Sequence, residues 1–243
     1  MTDDALANVG AAMKAEIAPE RQEDTKQKIL AVATDLIALR GPTLVTIRDL
    51  AAASGTNIAA INYHFGSKNE LVKAVLYSII EPINRQRMLL LNRFEKECAP
   101  QSVDVTHIME ALLRPVVEAK TAADGGSLYI RALQHLRAYP ADAENFYVFS
   151  TFDEVAQYFL DALQKVIPEL TRAEIIWRYE LVRGAAMHML GNCDPISGKF
   201  RHLSRGVGMI DLDDKEVVLK ELIDFSVAGF SAPVSWKQSD LRA

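Results

Sequence analysis

Along most of the chain, apolar residues recur at intervals of three and four, the spacing of a helix face. β-branched residues do not cluster in alternating runs bounded by turns. The first helix is expected to begin near Asp24, with Gln27 three positions on as a capping-box partner, and to carry Ile29, Ala33, Leu36 and Ile37 on one stripe. Gly41 and Pro42 stop it. A second helix starts after Thr46, whose partner is Asp49, turns Ile47, Leu50 and Ala51 inward and ends at Gly55. A third, very short, spans about 57–65 and stops at Gly66; a fourth opens with the Ser67/Glu70 box and carries Leu71, Val72, Val75 and Leu76. Two of these four helices are far shorter than the usual 11–12 residues, and short helices hold only when they share one core.

Longer helical patterns follow. Pro82 kinks or splits the fourth helix, and further helices are expected over about 103–119, 126–138, 142–167, 171–191 and 213–230. Pro115 bends the first of these, while Pro140 and Pro168 separate neighbours. Residues 192–212 hold three glycines and a proline and read as a loop. The fold class is all-α, with about nine helices: an arm over 1–22, a compact three-helix unit over 23–83 and a larger helical body over 84–243.

Composition narrows the function classes. Apolar residues make up 49% and charged residues 24% of the 243, enough for a buried core. Two cysteines, Cys98 and Cys193, build no disulfide framework and no CxxC metal pair. No apolar run is long enough for a membrane span, and the acidic start lacks a secretion signal's basic head, so a cytoplasmic location is expected. There is no GxSxG elbow, HExxH pair, Gly-rich phosphate loop or calcium loop, and the histidines at 64, 107, 135, 188 and 202 are scattered. Neither an enzyme, nor a metal site, nor a cofactor is expected.

The net charge of −5 argues against nucleic acid, but its distribution does not. Residues 26–73 carry six bases against three acids, a locally basic segment in an acidic chain. Within it, TIRDLAAASGTNIAAINYHFGSK places Ile58, Ile61 and Phe65 on one side of the third helix as core plugs. The other side shows Ala59, Ala60, Asn62 and Tyr63, with Thr56 and Asn57 at its amino end. A DNA groove explains such a face: alanines permit close approach, asparagine pairs with adenine, and tyrosine reaches a phosphate. Thr46, Asn57 and Ser67 serve equally as helix caps, and His64 equally as packing beside Phe65.

These residues resemble the TetR family of bacterial transcription regulators. The matching stretches are Thr46-Ile47-Arg48-Asp49-Leu50-Ala51, Gly55, and His64-Phe65-Gly66-Ser67-Lys68, within about residues 23–83. One departure is that the family's usual tyrosine two residues before the histidine is Asn62 here, and Tyr63 follows. The resemblance implies that Thr46, Arg48, Tyr63, His64 and Lys68 hold the DNA backbone, while Thr56, Asn57, Ala59, Ala60 and Asn62 face bases. It implies a homodimer paired through the last two helices, where Ile175, Ile176, Tyr179, Val182, Ala186 and Leu190 and then Val217, Val218, Leu222 and Phe225 form apolar stripes. It also implies a repressor released from a palindromic operator by a small molecule. The mix of aromatic and isolated polar residues in the body suits a largely apolar effector with one polar or anionic end. The candidate ligand residues are His107, Arg114, Tyr129, Arg131, His135, Tyr147, Phe149, Phe152, Trp177, Arg178 and His188. An alternative within the fold is an architectural or cell-division regulator contacting a protein through 192–212, with Lys199, Phe200, Arg201, His202 and Arg205.

Overall fold

A computed structural model describes residues 3–121, 126–137, 153–192, 199–205, 207, 211 and 213–233. Among them are ten helices and no strand: α1 (Asp3–Arg40), α2 (Ile47–Ser54), α3 (Ile58–Phe65), α4 (Lys68–Cys98), α5 (Val105–Thr121), α6 (Gly126–Arg137), α7 (Asp153–Val166), α8 (Arg172–Asn192), α9 (Lys199–Ser204) and α10 (Lys215–Ser231). The all-α expectation holds. No helix among the described residues is long and apolar enough to cross a membrane.

Three expectations change in the N-terminal half, and a fourth changes in the body, where Lys199–Ser204 of the expected loop over 192–212 forms α9. The backbone is already helical from Asp3, so the helix does not start near Asp24. Gln27 therefore makes no capping box; its amide donates to Glu23 one turn earlier, at 2.9 Å, as suits a helix that continues upstream. The second change is at Glu70, which binds the ammonium of Lys73 (2.7 Å) while Ser67 Oγ accepts from the Glu70 amide, leaving a one-sided cap. The third is at Pro82, which neither splits nor ends α4. Pro82 and Ser78, whose carbonyl loses its partner there, are both exposed, so water can satisfy the freed group.

The N-terminal helical unit and the body share one core. Ile29, Ala33 and Ile37 of α1 pack with Leu50, Ile61 and Phe65, and the same cluster runs through Leu71, Val75 and Leu91 of α4 into Ile108, Leu112, Phe159 and Leu163 of the body. α1 lies along α6, α4 along α5, and α5 along α10. His135 of α6 sits against Gly41, the left-handed stop of α1: a Cβ at Gly41 would lie 3.1 Å from its Nδ1.

The turn between α2 and α3 depends on Gly55, at φ 63° and ψ 28°, whose amide bonds back to α2. A Cβ there has room, the nearest atom being Lys28 Nζ at 3.7 Å, so the penalty of substitution is conformational. Gly55→Ala is expected to destabilise the protein by about 1–2 kcal/mol, read as a lower urea midpoint at unchanged slope.

Candidate functional site

The caps set α2, α3 and α4 in place. Thr46 Oγ1 accepts from the Asp49 amide (3.1 Å), and the Asp49 carboxylate accepts from the Thr46 amide (2.9 Å) and hydroxyl (2.7 Å). These bonds hold the Asp49 carboxyl below the usual carboxylate range. Asn57 Oδ1 caps α3 by accepting from the Ala60 amide at 2.8 Å. The capping roles foreseen for Thr46, Asn57 and Ser67 are thus occupied by the protein's own amides.

Between these caps lies an exposed face. Ala59, Asn62 and Tyr63 of α3 and Arg48 of α2 face solvent, and Tyr63 is 72% exposed. Ala60, Thr56 and His64 are half-buried; Thr56 Oγ1 shares a hydrogen bond with Ser54 (2.8 Å), and the ring of His64 meets Tyr63 edge-on at 5.2 Å. Lys68 is half-buried and donates to the Thr43 carbonyl at 3.3 Å, tying α4 to the loop before α2. Ile61 and Phe65 plug the core as expected, but Ile58 does not: it is 42% exposed. As the first residue of α3 its side chain leans back over the open end of the helix, which extends the outward face by one apolar group. Lys28 of α1 also reaches this region, its Nζ lying 3.7 Å from a Cβ built at Gly55.

A second feature lies in the body, a cavity of about 400 Å³ between α4, α5, α6, α7 and α8. Its walls are mostly apolar, with Ile80, Ile83, Leu112, Leu113, Val116, Leu133 and Met187, and it also exposes Asn84, Arg87, Tyr179, Glu180 and Arg183. Burial holds the Arg87 guanidinium below its ordinary range, at about 10, still protonated at neutral pH; nearby Arg183 pushes the same way. Burial also pushes the Tyr179 phenol up, keeping it a hydrogen-bond donor.

None of the ligand residues proposed from the sequence is among the described lining of this cavity. Arg114 of α5 clamps Glu216 of α10 at 2.9 Å and Glu110 at 2.9 Å, which raises its pKa. Arg178 donates to the carbonyls of Gly229, Phe230 and Ala232, closing the end of α10. His107 binds Asp104 at 2.7 Å, His188 pairs with Asn192 at 2.7 Å, His135 abuts Gly41, and Trp177 is exposed. Arg131 is half-buried. Tyr147, Phe149, Phe152 and the side chain of Tyr129 lie outside the described residues. The polar groups that do face the cavity are placed by α4 and α8. The warning sign was Arg87, a charge on the stripe Leu76, Ile80, Ile83, Leu91 at helical spacing.

Comparisons with known proteins agree with the geometry. Residues 29–75 match the profile for bacterial regulatory proteins of the tetR family, and residues 110–229 match the profile for the tetracyclin repressor-like C-terminal domain. The chain is 48% identical over 58 residues to the HTH-type transcriptional repressor Rv3405c of Mycobacterium tuberculosis, covering 24% of this chain and 31% of that one. It is 28% identical over 127 residues to the HTH-type transcriptional repressor KstR2 of Rhodococcus jostii, covering 49% and 58%. The matched region thus spans from about a third to somewhat over half of these relatives. The fold resembles the solved ketosteroid transcriptional regulator KstR2 of Mycobacterium tuberculosis, with a TM-score of 0.54 at 16% identity over 84% of this chain and 93% of that one. With a reading head capped and exposed at α3, and both halves matched by their own profiles, the chain belongs to the TetR family of DNA-binding transcription regulators.

Proposed function

We propose that this chain is a repressor that binds a palindromic operator as a homodimer and is released when a small, largely apolar effector enters the body cavity. The observation that carries the DNA half is α3: eight residues whose outward side is small and polar, with Asn62 and Tyr63 exposed beside Arg48. Small residues let a helix reach base edges, and the exposed amide of Asn62 suits adenine. Thr46, Arg48, Tyr63, His64 and Lys68 take the backbone, with Thr56, Asn57, Ala59 and Ala60 along the groove.

A dimer is supported by an exposed apolar stripe. Ile176, Trp177 and Leu181 of α8 and Phe225 of α10 are exposed, and no atom comes within 4 Å of a Cβ built at Gly184 or Gly229, which leaves room for close helix approach. Of the residues expected along the last two helices, Ile175, Tyr179, Val182, Ala186, Leu190, Val218 and Leu222 pack this protomer's own core, whereas Ile176 and Phe225 face outward. A sensor needs an enclosed pocket where a purely partner-driven regulator does not, and the 400 Å³ cavity favours the sensor. It lies between α4, which carries the head, and α8, which bears the outward stripe. An effector that fits one head spacing better shifts the population by its differential affinity.

The test is selection of bound fragments from genomic DNA, with the mass of each complex measured. Inverted repeats with half-sites about 10 bp apart, or a multiple, and two chains per site are expected. Monomeric binding to asymmetric sites, or binding spread evenly over the chromosome, would refute the reading.

A further inference from the structure

We propose, building on the reading of the body cavity as the effector site, that its guest is a monocarboxylic acid with an apolar body, held by its carboxylate at Arg87. Three charged side chains line the cavity among the described residues: Arg87, Glu180 and Arg183. Arg183 and Glu180 form an ion pair one turn apart on α8, and Arg183 also covers the ring of Tyr179, 5.4 Å from its centre. That pair is electrically closed. Arg87 has no such partner: no carboxylate among the described residues is within ion-pair distance of it. Its Nε donates to the Leu112 carbonyl at 2.9 Å, in the turn where Pro115 interrupts α5, and its Nη1 donates to Asn84 Oδ1 at 3.0 Å. Both acceptors are neutral, and Nη2 has no acceptor among the described residues.

The two neutral bonds aim the guanidinium; they do not balance its charge. A cation removed from water is costly unless a counter-charge accompanies it. A carboxylate matches the guanidinium fork and takes the unused Nη2 donor, and the Tyr179 phenol lines the same cavity as a second donor. The rest of the lining is Ile, Leu, Val, Ala and Met, which accepts an aliphatic or alicyclic body and offers nothing to a second polar end. A neutral guest would leave Arg87 uncompensated, and a cation would face net positive charge. The anion would also lie between Arg87 on α4 and Tyr179 on α8, bridging the head-bearing helix to the helix of the proposed dimer face.

Calorimetric titration of the full chain with decanoate, 1-decanol and decyltrimethylammonium, each below its micellar concentration, tests this on the unaltered protein. Decanoate is expected to bind at least about tenfold more tightly than decanol, with no binding of the cation. In Arg87→Gln, decanoate should weaken to the level of decanol while decanol is unchanged; Arg87→Lys, which keeps the charge and loses the fork, should fall between. If Arg87→Gln does not fold, the ligand series on the parent protein and the lysine variant still decide. Decanol binding as tightly as decanoate and releasing operator DNA overturns the anion assignment and leaves the effector site standing. Failure of all three to bind overturns both.

Discussion

A Leu181→Glu chain is expected to sediment as a monomer and to bind a two-half-site operator at least about a hundredfold more weakly than the parent, while its affinity for a single half-site stays the same. Leu181 is 56% exposed in the middle of α8, one turn from Trp177 and three residues from Gly184, and Phe225 on α10 is 65% exposed. In a two-fold interface each substitution is met twice, so two carboxylates would be buried in an apolar face. The predicted loss is the loss of bivalency: tethering two heads multiplies affinity by about 10²–10⁴ without any new contact. The half-site control separates this from misfolding, because the proposed face is on α8 and α10 while the proposed reading residues are on α2 and α3. A Leu181→Glu protein that remains dimeric would remove α8 from the interface.

Asn62→Ala is expected to weaken operator binding by roughly 30-fold to 10⁴-fold in the dimer, with little change on unrelated DNA. A bidentate amide–adenine pair discriminates by about 1–3 kcal/mol, and two half-sites double it, each 1.4 kcal/mol being tenfold. Among the described residues no hydrogen bond holds Asn62's side chain, and it is exposed on α3, so its truncation should leave the fold intact. Tyr63→Ala makes the contrast. A backbone contact positions without specifying, so its loss should weaken operator and unrelated DNA alike. Competition titrations at one salt concentration read both. If Asn62→Ala weakens both DNAs equally, it belongs with the backbone contacts and Tyr63 becomes the candidate for base reading.

The reading head was more legible in the sequence than the body, for a physical reason. Thr46, Gly55, Asn57 and Ser67 act through bonds to residues at most four or five positions away, so spacing alone locates α2, α3 and the start of α4. Where a residue had more than one partner in reach, or sat at the end of an element, spacing misled. Glu70 had two partners in reach, the Ser67 amide and Lys73, and took the ammonium. Ile58 carries a core-type side chain but sits at the helix end, beyond the packing of its neighbours. In the body, a polar residue on a helix is drawn either inward or to a neighbouring helix end, and pattern cannot tell which. Arg114 and Arg178 went to α10, while Arg87, with no acid one turn away on its own helix among its partners, turned in. The outward apolar stripe was read only in part: Ile176 and Phe225 lie on it, but Tyr179 and Val182 share α8 with Trp177 and Leu181 and lie around its circumference.

The continuity of α4 has a mechanical corollary. Arg87 and Lys68 are joined by unbroken helix, a lever of about 28 Å at 1.5 Å per residue. Tilting it by about 5° around the cavity end swings the head end by roughly 2.5 Å, close to the reach of a whole hydrogen bond. A hinge at Pro82 would have absorbed that swing; an intact helix gears it up, so a displacement too small to disturb packing around Leu91 and Leu112 arrives at the groove magnified.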